Sequence, residues 1–173
     1  MTPLVESPSF SERDGGIDDA DQVMALAREV ILDMRRQGID QWDEQYPDAA
    51  TIRNDLTSSR TRLVLNRHSL IAYLCIDQDA SPGYSGMPWR GATPAIVHRL
   101  MVHPQAQGHG LGRLLMGWAE NLSKAIGYDS IRLDAFLKNP RALSLYRRLG
   151  YTQIGEVHFR KGGFAVFEKL LDA

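Results

Sequence analysis

The run Leu100-Met101-Val102-His103-Pro104-Gln105-Ala106-Gln107-Gly108-His109-Gly110-Leu111-Gly112-Arg113 passes from an apolar segment through a cluster of glycines into an amphipathic helix. Such a layout forms an anion site. Glycines let a ligand reach main-chain N–H groups with no Cβ in the way. The first N–H groups of the following helix have no intrahelical acceptor, and with the positive dipole end they point to the same place. One exposed helix-end contact is worth about 0.3–1 kcal/mol, whereas a micromolar ligand needs about 8 kcal/mol. Several amides must therefore converge. Gly108, Gly110 and Gly112 provide for that, Arg113 adds a positive charge, and a diphosphate fits the row.

Spacing separates three kinds of glycine-rich turn. The phosphate-binding loop of ATPases requires Lys and then Ser or Thr after its last glycine, but Arg113 and Leu114 follow here. The dinucleotide fingerprint requires G-x-G-x-x-G. From Gly108 this chain reads Gly-His-Gly-Leu-Gly-Arg, with the third glycine one place early, although Asp134 falls near where a ribose-binding acid would lie. The third pattern, Gln/Arg-x-x-Gly-x-Gly/Ala, is met at Gln107, Gly110 and Gly112.

A second stretch is independent of the first. Ile131-Arg132-Leu133-Asp134 reads as a strand, and the segment from Asn139 to Tyr151 as a short helix with both ends marked. Asn139 suits the N-cap, Pro140 the first helical position, and Gly150 the left-handed residue after the last turn. With both motifs in this order, the chain resembles the GNAT superfamily of N-acetyltransferases, closely over about residues 65–170 and only in general layout before them.

The resemblance implies an α/β (α+β) fold: a mixed, mostly antiparallel central sheet of about six to seven strands with helices on both faces. It implies that acetyl-coenzyme A is the cosubstrate. Gln107, Gly108, Gly110, Leu111, Gly112 and Arg113 would bind its pyrophosphate, while backbone groups of Leu100 and Val102 would pair with the pantetheine and the acetyl carbonyl. It places Tyr146 as general acid for the departing thiolate, with Asn139 close to the coenzyme. Without the motif, Tyr146 would be a helix tyrosine packed beside Leu145 and Leu149, and Asn139 only a cap.

The chemistry also needs a base. An amine with a pKa near 10.4 is protonated at neutral pH and must lose a proton before it attacks a thioester. His98 lies two residues before Leu100, so regular alternation puts both side chains on one face of the strand, and histidine titrates in a useful range. A lone strand histidine is more often a satisfied packing residue. Asp134 could take the proton through water or hold a cationic acceptor, or else pair with Arg132 or Arg99. The acceptor region is expected in 41–47 and 78–92: Trp42, Tyr46 and Trp89 as an aromatic wall, with Asp40, Asp43 and Glu44 attracting an amine. The plainer alternative is a packed loop with a solvated acidic turn.

Composition bounds the rest. The 173 residues suit one domain, 1–173, with a flexible N-terminus over 1–7. A formal net charge of −1 gives no field that would draw nucleic acid. The single cysteine, Cys75, rules out an internal disulfide and suits a reducing compartment. No apolar run is long enough for a membrane span and the start lacks a secretory pattern, so the expected location is cytoplasmic. The histidines lack metal-ligand spacing, so no metal is expected. A Gly-x-Ser-x-Gly elbow is also absent.

Along the chain, an edge strand is expected near 8–13, a helix from Asp18–Asp21 to Gly38, and a second helix from Asp48 or Ala49 to Ser59. A hairpin is expected at 61–77, and a strand over 94–102 feeds the anion loop. Leu111, Leu114, Leu115, Trp118, Leu122 and Ile126 should form the buried stripe of the next helix, and 151–171 a closing hairpin. The reading is transfer of an acetyl group to a primary amine of a small molecule or peptide by direct attack in a ternary complex. A noncatalytic acyl-coenzyme A-binding or sensing module is the alternative. The resemblance also allows a homodimer.

Overall fold

The computed structural model describes residues 9–172, and the N-terminus expected to be flexible lies outside them. The strands are β1 (Phe10–Asp14), β2 (Arg60–Asn66), β3 (Ser69–Asp77), β4 (Pro94–Val102), β5 (Ser130–Phe136), β6 (Thr152–Phe159) and β7 (Gly162–Leu170). They form one sheet in the order β1-β2-β3-β4-β5-β7-β6. All neighbours are antiparallel except β4 and β5, so the sheet is mixed and mostly antiparallel, as expected.

Helices α1 (Ala20–Arg36) and α2 (Ala49–Ser58) cover one face; α3 (Leu111–Ile126) and α4 (Pro140–Arg148) cover the other. Local chemistry sets their limits. Asp48 caps α2 by accepting from the Thr51 N–H, and Asn139 caps α4 by accepting from that of Ala142. Gly150 takes φ +87° just past α4. β3 is buried from Leu70 to Ile76, which a strand clad on both faces requires. Among the described residues no helix is long and apolar enough to cross a membrane.

The stripe expected on α3 is corrected. Leu111, Leu115, Met116, Ala119 and Ser123 are buried, whereas Leu114 and Ile126 are each 40% exposed. The helix lies so close to its neighbours that a Cβ on Gly112 would come within 3.1 Å of Leu145 Cδ2. Small residues therefore face inward, and hydrophobicity alone does not mark them.

Two irregularities shape the centre of the sheet. β4 and β5 pair only at Pro94↔Ser130, Ala95↔Ile131 and Ile96↔Arg132, and then part. On its other side β4 bulges: Cys75 faces His98 but Tyr73 faces Met101, so Arg99 and Leu100 together oppose Leu74, with Arg99 at φ +52°. The bulge breaks the alternation assumed for His98 and Leu100. Leu100 packs with the α3/α4 layer, whereas His98 bonds Asp77 on the face where Ile96 and Met101 meet α1 and α2.

Candidate active site

The glycine loop is open. Among the described residues, no N–H from Gly108 to Arg113 donates to a protein acceptor, and Gly110 caps α3 with no side-chain bond. Gly108 and Gly110 take φ +82° and +78°, a region that costs other residues about 1–2 kcal/mol. Gly112 serves differently, by letting α3 approach Leu145. The Gln107 side chain turns back and donates to the Val102 carbonyl at 3.2 Å, so one backbone group of Val102 is already engaged.

Leu100, Val102, Leu133 and Tyr146 all border one cavity of about 910 Å³, which also reaches the glycine loop. Tyr146 is 6% exposed and packs edge-on to Tyr151 at 5.9 Å. Its hydroxyl has no hydrogen-bond partner among the described residues, and burial, followed by the charge of Asp134, pushes the phenol's pKa up. Asn139, besides capping α4, donates to Gln41 Oε1 at 3.0 Å and so ties the α1–α2 connection to the start of α4.

Asp134 also borders the cavity, but it pairs with neither Arg132 nor Arg99. Tyr84 donates to its Oδ2 at 2.7 Å. Burial raises the carboxyl pKa against the opposing pull of that bond and of His98. Tyr84 lies in the long segment after β3, and two carboxylates, the buried Glu168 and the half-buried Asp129, hold that segment in place. Glu168 accepts from the N–H groups of Arg90 and Gly91 at 2.9 and 3.0 Å, and Asp129 from those of Ala92 and Thr93 at 2.8 and 3.0 Å. His98 lines the cavity as well, with Nε2 2.8 Å from Asp77 Oδ1. Arg99 binds Asp55 through Nε at 2.6 Å and through Nη2, and donates from Nη1 to the Tyr46 hydroxyl at 2.7 Å.

Two of the three rings expected in the acceptor wall border the cavity. Trp42 and Tyr46 border the cavity, whereas Trp89 packs on Tyr84 at 5.4 Å and beneath the Arg132 guanidinium at 4.1 Å, outside it. The acidic turn is not free to draw an amine. Asp43 is held by Arg160 at 2.8 Å and Lys161 at 2.9 Å, Asp40 by Lys161 at 2.6 Å, and Glu44 by Arg35 at 2.8 Å. Sequence reasoning missed Tyr84, the Arg99–Asp55 pair and the place of Arg160 and Lys161 on the cavity, since no local pattern links residues so far apart. Among the described residues no group of His, Cys, Asp and Glu could hold a metal ion.

Open amides beside a sheet that parts define a class of α/β protein that can take an extended, phosphate-bearing ligand along a strand edge. Residues 66–153, just over half of the chain, match the family model for the acetyltransferase (GNAT) domain. YesJ of Bacillus subtilis, an N-acetyltransferase itself uncharacterized, is 35% identical over 162 residues, covering 90% of this chain and 87% of that one. The chain belongs to the GNAT acetyltransferase family. Two longer curated relatives are matched over only 21% of their length. The fold is that of a GNAT acetyltransferase from Streptococcus agalactiae (TM-score 0.78, 20% identity, 95% of this chain and 96% of that one). It is also that of the PaiA N-acetyltransferase of Thermoplasma acidophilum, solved with coenzyme A (TM-score 0.73, 18% identity, 94% and 99%).

Proposed function

We propose that the protein transfers an acetyl group from acetyl-coenzyme A to a primary amine by direct attack within a ternary complex. The observation that carries this reading is one cavity joining three things: the row of open amides at Gly108–Arg113, the edge of β4 beyond Ile96, and the unpartnered hydroxyl of Tyr146. In this reading the amides of 108–113 hold the pyrophosphate, aided by Gln107, which steadies the strand end at Val102, and by Arg113. Backbone groups of Leu100 and Val102 align the pantetheine and acetyl ends, and Asn139 stands beside them.

Asp134 takes the proton of the amine as its nitrogen attacks the thioester carbonyl. Burial raises its pKa, which makes it a stronger base than an exposed aspartate, while the Tyr84 hydroxyl holds one oxygen and leaves the other. His98 is the second candidate, favoured less because Asp77 engages its ring nitrogen. Tyr146 serves the leaving sulfur. A phenol raised above its usual pKa of about 10 is a weaker acid than a thiol at about 8.5, so the gain is a hydrogen bond that tightens as charge grows on sulfur. No acyl-enzyme step is needed: Cys75 is fully buried, does not border the cavity, and burial pushes its thiol up to about 12.

Three measurements test the reading: the heat-stability shift with acetyl-coenzyme A, thiol release against a panel of amines, and the effect of Tyr146→Phe. A hydrogen bond to a charged group is worth about 1.5–3 kcal/mol. The variant should therefore turn over about 10- to 100-fold more slowly while the heat-stability shift persists. Binding without thiol release on any amine would instead indicate a noncatalytic acyl-coenzyme A module.

A further inference from the structure

The far end of the cavity, away from the glycine loop, is bordered by three cations, and each is already neutralised. Arg99 is bound by Asp55, Arg160 by both oxygens of Asp43 at 2.8 Å, and Lys161 by Asp40 and Asp43 at 2.6 and 2.9 Å. The carboxylates that border the cavity are in the opposite condition. Asp134 accepts only from the neutral Tyr84 hydroxyl, and Asp33, on the α1 wall, accepts from the Gln37 amide at 2.7 Å; neither has a cationic partner among the described residues. Between them stand apolar rings: Trp42, 8% exposed, and Phe164 packed against Phe159 at 5.1 Å.

An acceptor with a carboxylate beside its amine would bring that charge to an end of the cavity where, among the described residues, each bordering Arg or Lys is already paired, and with Asp134 repelling it. An ammonium on an apolar body meets neither obstacle. On the strength of the transferase reading above, we propose that this end selects primary amines with an apolar body and no adjacent carboxylate. Asp43 enforces the exclusion, because its two oxygens occupy Arg160 and Lys161, which would otherwise receive an acceptor's carboxylate. It acts on specificity through those two cations and does not touch the reacting atoms.

The test compares phenethylamine, phenylalaninamide and phenylalanine as acceptors for the full chain with saturating acetyl-coenzyme A. The first two are expected to exceed phenylalanine at least tenfold in kcat/KM. Asp43→Asn is expected to narrow that gap at least fivefold by releasing Arg160 and leaving Lys161 to Asp40 alone. Equal use of phenylalanine overturns the proposal. So does rejection of phenylalaninamide together with phenylalanine, which would mean that bulk and not charge is excluded. An unchanged ratio in Asp43→Asn removes the role of Asp43. Should that variant not fold, Asp40→Asn, at a carboxylate 72% exposed, releases Lys161 in part and should narrow the gap less. If no amine yields thiol, the transferase reading fails on its own. The affinity ratio of phenethylamine to phenylalanine, read by quenching of tryptophan fluorescence with coenzyme A bound, then decides the charge proposal by the same tenfold criterion.

Discussion

The two ends of the cavity carry charge in opposite senses and are built by different means. At the glycine loop, Arg113, Arg141 and Arg148 border the cavity with no carboxylate partner among the described residues, and the groups proposed to bind are the open main-chain N–H groups of six consecutive residues. At the far end, among the described residues, Arg99, Arg160 and Lys161 are each paired, and the contacts join residues 44, 50, 98, 117 and 121 positions apart. A ligand read by backbone can be accommodated by a single short stretch of sequence. A ligand read by side chains requires the whole sheet to have closed first. Variants at the two ends should therefore separate cleanly, and the largest effects should come from the far end, where we propose that the proton is transferred.

Asp134→Asn should cost the most. General acid–base catalysis supplies about 10²- to 10⁴-fold, so kcat should fall by at least about 100-fold while the affinity for acetyl-coenzyme A, measured by titration, stays as in the wild type. Retention of near-full turnover would move the base to His98. The opposite pattern is expected at the other end. Gly110→Ala places a Cβ where φ is +78°. No neighbour lies within 4 Å of that Cβ, so the free loop is able to relieve the strain by turning away. Binding must then restore the strained form at about 1–2 kcal/mol, which weakens acetyl-coenzyme A about 5- to 30-fold. Acceptor KM at saturating acetyl-coenzyme A should not move. If it does, the two ends are coupled and the comparison breaks down.

The same contrast explains what the sequence discloses. Gln107, Gly110 and Gly112, the capped helix from Asn139 and the strand over 94–102 are local features, fixed by φ, capping and alternation, and they are legible residue by residue. The bulge at Arg99 is not: it depends on how β3 and β4 align, and its effect is to move His98 off the face of Leu100. Tyr84 is hidden in a segment rich in proline and glycine that reads only as a connection. The end of that segment is fixed by Glu168 of β7 and by Asp129, the residue just before β5. Asp40 and Asp43 look free in the sequence because Arg160 and Lys161 lie more than a hundred residues away.

Tyr84→Phe gives the smallest effect and the sharpest discrimination, because it alters a neighbour of the base without touching the base. The Tyr84 hydroxyl lowers the Asp134 pKa, against a larger upward push from burial. Removing it takes the carboxyl pKa further up. Asp134 accepts a proton only when ionised, so the acid limb of the kcat/KM profile should already stand above the ordinary carboxylate range in the wild type, and it should move to higher pH in the variant. Turnover should then fall several-fold on the acid side and return toward the wild-type level at alkaline pH. A purely structural bond would behave otherwise: its loss would lower the rate by one factor at every pH, or lower Tm with the profile unshifted. If the limb stays where it is, Asp134 is a packing partner of Tyr84, and the far end holds the acceptor without taking its proton.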